Sequence, residues 1–353
     1  MKVLLLTSNY PPVSGGVSRY YQGLVECAEG DIGVAGIDLG PAVPDSGRAL
    51  KNRILQIRWA YTVSKNAPKS VVILAGQPHL ALGAWAARRK FSVALHGGEW
   101  EDYFFGNKFL QKVMNSSTQI LTSSVATANE WVSAANRNKT QSVTPGLPDF
   151  GVMLLETSVT RESARDKDST FEFLSVSRAS PRKGIQKLVD AIQICRSRGL
   201  NVNLSVIGQE QGTIHTDESL GGIKFLGHVS DEELANHYAR AQAFALLPER
   251  IQGGEGWEGF GIVYLEAAAA GLPVIATDTG GVLEAVCADG AIVLKADCTS
   301  ATIAKEIKNL IVDGSKQEKM SKANQKWANV NRWEAKKTQV KAVIDQIAAS
   351  SDR

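Results

Sequence analysis

The chain has 353 residues, enough for about two domains at roughly 150 residues each. Its 44% hydrophobic and 21% charged content excludes wholesale disorder. The net charge of +3, from 39 Lys+Arg against 36 Asp+Glu, is too balanced for a dedicated nucleic-acid binder.

The first apolar run, Val3 to Leu6, gives way at once to Thr7-Ser8-Asn9-Tyr10-Pro11-Pro12. An export signal needs about 7–15 apolar residues, so none is expected. No stretch approaches the roughly 18 uninterrupted apolar residues of a membrane span. Cys27, Cys195, Cys287 and Cys298 are far apart and form no CxxC pair. They read as reduced thiols of a cytoplasmic protein. The five histidines (79, 96, 215, 228, 237) have no ligand spacing to cysteine, so no zinc site is expected.

In chain order, residues 2–7 read as a buried strand. A loop with Pro11, Pro12, Gly15 and Gly16 follows, then a helix from Val17 through Tyr20, Tyr21, Leu24 and Val25. Over residues 48–65, Leu50, Ile54, Ile57 and Tyr61 recur at helical spacing, which predicts a core-facing stripe. Arg48, Lys51, Arg58 and Lys65 recur on another face of that helix. Residues 70–75 are a strand, 80–89 a helix, and 91–95 and 119–122 strands. Residues 154–169 are polar and mixed in charge, and read as an interdomain linker. The rhythm then restarts. Strands are expected at 171–176, 202–207, 223–226, 243–246, 274–277 and 291–294, with helices at 185–198, 231–241, 261–270 and 283–288 and beyond 294. Strands apolar on both faces and separated by helices imply parallel sheets covered on both sides. The expected fold class is α/β, with two Rossmann-like doubly wound domains facing a cleft. The expected boundaries are 1–152 for the first domain, 153–169 for the linker and 170–332 for the second domain. A C-terminal helix over 333–353 is expected to pack back on the first domain. Residues 1–150 carry 15 basic and 10 acidic side chains, so the excess positive charge lies in the first half.

In open α/β sheets, ligands bind beyond the carboxyl ends of the strands. The richest such loop runs from Gly253 to Glu266, where a glycine-rich segment opens into a helix. Its free N–H groups suit a phosphate or sugar oxygen. Glu258 and Glu266 are eight residues apart, about 800° of helix, which places them on one side. Two carboxylates there suit hydroxyl donors, as on a sugar and a ribose. An acidic helix start favoured by the dipole has the same pattern.

Glu258-x7-Glu266, followed by Gly271-Leu272-Pro273 and Gly280-Gly281, resembles the donor-site signature of the family 4 retaining glycosyltransferases, which have the GT-B fold. Arg178-Ala-Ser-Pro-Arg-Lys183-Gly184 resembles the family's Arg-x4-Lys-Gly element. A guanidinium and an ammonium can clamp a pyrophosphate. The resemblance is strong over about residues 170–295 and weak over the first half. It implies that Glu266 holds the ribose, and that Glu258 and the backbone of Gly259, Phe260, Gly261 and Ile262 hold the sugar and pyrophosphate. Gly208 lines the same site, and Gly227-His228-Val229 falls where the base is read. Gly15-Gly16 matches a glycine-rich loop near the reacting centre. His96, in His96-Gly97-Gly98-Glu99, would point toward the donor sugar. His79 also follows a strand end and is a weaker candidate.

The sequence departs from the family pattern at Pro248 to Trp257, where an Arg and a Gly-rich insertion precede Glu258. That insertion resembles the phosphatidylinositol mannosyltransferase subgroup, which favours GDP-mannose over a UDP-sugar. It also suits a lid that orders on donor binding. The resemblance implies a retaining, metal-independent hexosyltransferase with a nucleotide-sugar donor, a glycan or lipid-linked acceptor and no cofactor. His96, Glu258, Arg178 and Lys183 would carry the chemistry. The basic face of residues 48–65, with Lys69 and Arg88-Arg89-Lys90, adds an expected peripheral contact with the anionic inner face of a membrane. A nucleotide-sugar epimerase or hydrolase of the same fold and a non-catalytic nucleotide-sugar binder are the alternatives. A nicotinamide enzyme would need GxGxxG after the first strand, which Gly15-Gly16 does not supply.

Overall fold

The computed structural model describes residues 1–13, 15–38, 46–97, 108–158, 170–250 and 258–349. In chain order the first elements are β1 (Val3–Thr7), α1 (Gly16–Cys27), β2 (Ile32–Gly36), α2 (Ser46–Asn66), β3 (Val72–Ala75), α3 (Pro78–Ala86), β4 (Phe91–Leu95), α4 (Lys108–Asn115), β5 (Ile120–Thr122), α5 (Val125–Trp131) and β6 (Thr140–Ser142). Then come α6 (Asp149–Ser158), β7 (Phe171–Val176), α7 (Ile185–Ser197), β8 (Val202–Ile207), β9 (Ile223–Phe225), α8 (Asp231–Arg240), β10 (Ala243–Leu246), α9 (Ile262–Ala269), β11 (Val274–Thr277), α10 (Val282–Ala285), β12 (Ala291–Leu294), α11 (Ser300–Val312), α12 (Gly314–Val330) and α13 (Trp333–Ala349).

These elements form two compact units, Met1–Gly146 with Trp333–Arg353, and Leu147–Arg332. In the first, the strand order is β2-β1-β3-β4-β5-β6 and every pairing is parallel. In the second, the order is β12-β11-β10-β7-β8-β9, again all parallel. That is the doubly wound order 3-2-1-4-5-6, with its switch point between β7 and β10. The central strands β3, β4, β10 and β11 are buried along their whole length, because helices cover both faces.

The sequence pattern misses β2 and β6. Both are edge strands, half-exposed, and built from Ile-Gly-Val-Ala-Gly and Thr-Gln-Ser, so neither carries a long apolar run. The expected linker also shifts. Residues 149–158 form α6, which belongs to the second unit together with everything from Leu147. Leu154 and Leu155 are buried there, and a polar-looking segment hid one apolar face. Residues 159–169 lie outside the described residues.

The face of α2 also differs from expectation. Ala60 and Ser64 are fully buried, whereas Ile54 is 51% exposed and Leu55 and Tyr61 are also exposed. The cause is a close helix crossing. A Cβ on Gly83 of α3 would lie 2.6 Å from the Ala60 Cβ and 2.7 Å from the Ile57 carbonyl oxygen. Small residues set the contact and turn the larger apolar side chains outward. The side chains of Arg48 and Leu50 lie outside the described residues. Arg89, expected in a basic surface patch, instead donates to the carbonyls of Ser64, Ala67, Pro68 and Val71 at 2.6–2.7 Å. It caps the end of α2.

Helix α13 completes the first unit. Trp333 fills the space above two glycines: a Cβ on Gly146 would come within 2.7 Å of its ring, and one on Gly23 would overlap it. Lys337 and Lys341 pair with Glu29 just after α1, and Lys2 reaches Asp345 at 2.7 Å. Gly23→Ala should destabilise the protein by about 1–3 kcal/mol, the usual cost of overpacking a filled interior. Chemical denaturation would read this as a lower midpoint with an unchanged slope. An unchanged midpoint would mean that Trp333 is not seated there.

Candidate active site

In the second unit the expected site residues sit on the segments that follow β7, β8, β9 and β10, with Glu266 inside α9. After β7 the chain passes Ser177 and Arg178 and makes a tight 3-10 turn, Pro181–Lys183, closed by Gly184 in the left-handed region (φ 65°). A Cβ on Gly184 would overlap the Leu247 carbonyl, so the turn is pressed against the end of β10. The turn buries both Arg182 and Lys183 (each 8% exposed), while Arg178 stays exposed.

Glu258 receives both buried cations on one oxygen. Arg182 Nη1 donates to Glu258 Oε2 at 3.0 Å, and Lys183 Nζ donates to the same Oε2. Burial pushes the Glu258 carboxyl up, but Lys183 and Arg182 outweigh it and hold it below the ordinary carboxylate range. Burial lowers Lys183 against the pull of Glu258, and the charges of Arg182 and Arg178 push the same way. Glu258 is therefore ionised at neutral pH. The Glu258 carbonyl accepts from Gly281 N at 2.8 Å, which ties the loop after β11 to the same point.

Glu258 lies before α9 rather than on it. Gly261 caps that helix with φ 89°, and a Cβ there would stand 2.6 Å from the Tyr264 ring. The one-sided placement expected for Glu258 and Glu266 assumed continuous helix, and the glycine run breaks it. Glu266, 1% exposed, accepts from Tyr238 Oη at 3.1 Å. Gly259, Phe260 and Ile262 are buried. Gly208 (φ 90°) packs on the turn after β7: its Cβ would meet the Ser177 carbonyl at 2.6 Å, and its N–H donates to Gly227 at 2.7 Å. His228 is exposed and Val229 half-buried. Gly253 to Trp257 lie outside the described residues.

His96, Gly15 and Gly16 belong to the first unit. Gly15 (φ 131°) and Gly16 are exposed at the start of α1, with open space where a Gly15 Cβ would be. His96 follows β4, and its Nε2 lies 2.6 Å from Tyr21 Oη. The same hydroxyl donates to the Gly76 carbonyl at 2.5 Å. A carbonyl can only accept, so the hydroxyl accepts from His96 Nε2–H, which fixes the tautomer. Gly98 and Glu99 lie outside the described residues. His79 is held by Gln56 at 2.7 Å, and burial followed by the Arg53 charge pushes it down to about 4. It is a neutral tie between α2 and α3.

Sequence reasoning missed Arg182, Tyr238 and Tyr21 as site-forming residues. Arg182 stood beside the recognised lysine, but nothing in a two-residue basic run says that both side chains turn inward. Among the described residues, no group of three or more His, Cys, Asp or Glu could hold a metal ion, and no helix is long and apolar enough to cross a membrane.

Residues 157–327 match the family described as "Glycosyl transferases group 1". The chain is 27% identical over 91% of its length to a GDP-mannose-dependent monoacylated alpha-(1-6)-phosphatidylinositol monomannoside mannosyltransferase of Corynebacterium glutamicum, covering 87% of that protein. It is 26% identical over 94% of its length to a GDP-mannose-dependent alpha-(1-6)-phosphatidylinositol monomannoside mannosyltransferase of Mycobacterium tuberculosis, covering 95% of it. Among solved structures, Anabaena HepE in complex with UDP superposes with a TM-score of 0.70 at 19% identity, over 98% of this chain and all of that one. Sucrose-phosphate synthase from Thermosynechococcus elongatus gives 0.73 at 17% identity, over 98% and 99%. Residues 157–327 thus carry a group 1 glycosyl transferase domain, and the two doubly wound units have the GT-B fold.

Proposed function

We propose that the chain is a retaining glycosyltransferase that moves a sugar from a nucleotide-diphosphate sugar, GDP-mannose before a UDP-sugar, to a hydroxyl of a glycan or lipid-linked acceptor. The observation that carries this reading is the cationic turn Arg178–Lys183 set against Glu258 at the start of α9. The names of the mannosyltransferase relatives support the choice of donor and of a lipid-linked acceptor.

In this reading the bond between the anomeric carbon and the diphosphate oxygen breaks, and negative charge grows on the leaving diphosphate. Arg178 and Lys183 stand where that charge develops, and the first N–H groups of α9 add a dipole of the right sign. Glu266, held by Tyr238, accepts from the ribose hydroxyls. The family resemblance assigns His96, with Nε2 committed to Tyr21, to the reaction of the donor sugar. The acceptor oxygen attacks on the face the leaving group departs from, and its proton passes to the departing phosphate.

The face of α2 supports a peripheral membrane contact for the first unit. Lys51, Arg58 and Lys65 are exposed on the same side as Ile54, Leu55 and Tyr61. Apolar side chains among cations suit an anionic lipid surface better than a purely basic face does.

Arg178→Ala and Lys183→Ala should each lower turnover by about 10²-fold or more, the scale of one preorganised charge stabiliser. Unchanged kinetics in both, with the fold intact, would remove the donor site from this loop. The reading uses no metal, because side chains meet the leaving-group charge. Activity should therefore survive EDTA, and complete loss restored by Mg²⁺ or Mn²⁺ would contradict it. The protein should sediment with anionic vesicles at low salt and release at high salt, since exposed charges are screened over about 10 Å at 0.1 M. Lys51→Glu with Arg58→Glu should abolish sedimentation, and binding that ignores both salt and this variant would rule out the α2 face.

A further inference from the structure

We infer that Arg182 is a positioning residue of the donor site: it keeps Glu258 charge-compensated so that Lys183 can exchange the carboxylate for the donor's diphosphate. This rests on the donor-site reading above and deepens it.

Both cations sit on one oxygen, Glu258 Oε2. Glu258 is 7% exposed, so it cannot fall back on water. If Lys183 were its only partner, drawing the ammonium onto a phosphate would strand a buried carboxylate, which is strongly disfavoured. The second cation removes that penalty. Arginine suits the task because it keeps its charge throughout the working pH range. Its own backbone is pinned, since the Arg182 carbonyl accepts from Glu249 N at 2.7 Å. The Glu249 carboxylate is held in turn by Lys187 of α7 at 2.7 Å. Arg182 therefore contacts the chain at both Glu249 and Glu258, the residues flanking the glycine-rich segment. Arg178, Arg182, Lys183 and Glu258 together carry two positive charges, which matches the two negative charges of the diphosphate in a nucleotide sugar.

A double-mutant cycle on the full chain tests the exchange, with GDP, UDP and ADP titrated calorimetrically. These lack the sugar, so loss of a sugar contact by Glu258 does not enter. Arg182→Met should weaken nucleoside diphosphate binding by about tenfold or more, because Lys183 is then needed by the carboxylate. Glu258→Gln should bind as tightly as the wild type or more tightly, because Lys183 is released. The double variant should return to within about threefold of the wild type, the additive expectation being far lower. If Glu258→Gln does not restore binding to Arg182→Met, Arg182 contacts the phosphate directly or serves only the fold, and the proposal falls. Wild-type affinity in Arg182→Met also overturns it. If Arg182→Met does not fold, Arg182→Lys stands in: it keeps the second cation and should bind within about threefold of the wild type, and a loss that Glu258→Gln fails to restore again overturns the proposal. Failure of the donor-site reading looks different: the wild type binds none of the three nucleotides.

Discussion

A carboxylate taken out of water needs cations, and the second unit is arranged around that requirement at Glu258. Arg182 and Lys183 supply the charge, and they can do so only because Pro181–Lys183 forms a tight turn that buries adjacent side chains. Gly184 permits the turn, since any side chain there would strike the end of β10. Gly281 N then grips the Glu258 carbonyl from the loop after β11. Three strand ends are joined at one residue, by its carboxylate and its main-chain carbonyl, at the switch point where a doubly wound sheet presents its crevice. The same arrangement gathers three ionised side chains at that crevice.

Much of this was legible in the sequence, because strong local patterns make short-range claims. The strands β8, β10, β11 and β12 are largely apolar runs bounded by turn residues, and the structure has them at the expected positions. The pairing of Glu258 with Lys183 was not legible, although both residues were singled out. They are 75 residues apart, and the pattern that marks them carries no distance between them. Arg182 was hidden for a related reason: a basic dipeptide at a turn usually faces water.

The α2 helix shows the opposite failure, in which a clear pattern pointed the wrong way. Helical spacing predicts a core stripe from the largest apolar residues. The partner helix α3 carries Gly83 at the crossing and accepts only a small face, Ala60 and Ser64. Close backbone approach outcompeted the burial of Ile54 and Tyr61, and it left an apolar and basic surface facing outward. The same crossing explains Arg89, whose guanidinium is occupied by the end of that helix rather than presented to solvent.

The seating of Trp333 against Gly23 and Gly146 sets an order on the birth of the chain. The second unit is one continuous segment, Leu147–Arg332, interposed within the first. A ribosome releases residues from the N-terminus onward, and domains fold as their last residues emerge. The first unit is begun first, yet it lacks α13 until residues 333–349 have emerged, so Gly23, Gly146 and Glu29 wait without their partners. The second unit has everything it needs once Arg332 has appeared. The part synthesised later is therefore the part completed earlier, and the nascent first half is left with an open seam that quality-control factors would meet throughout translation of the second.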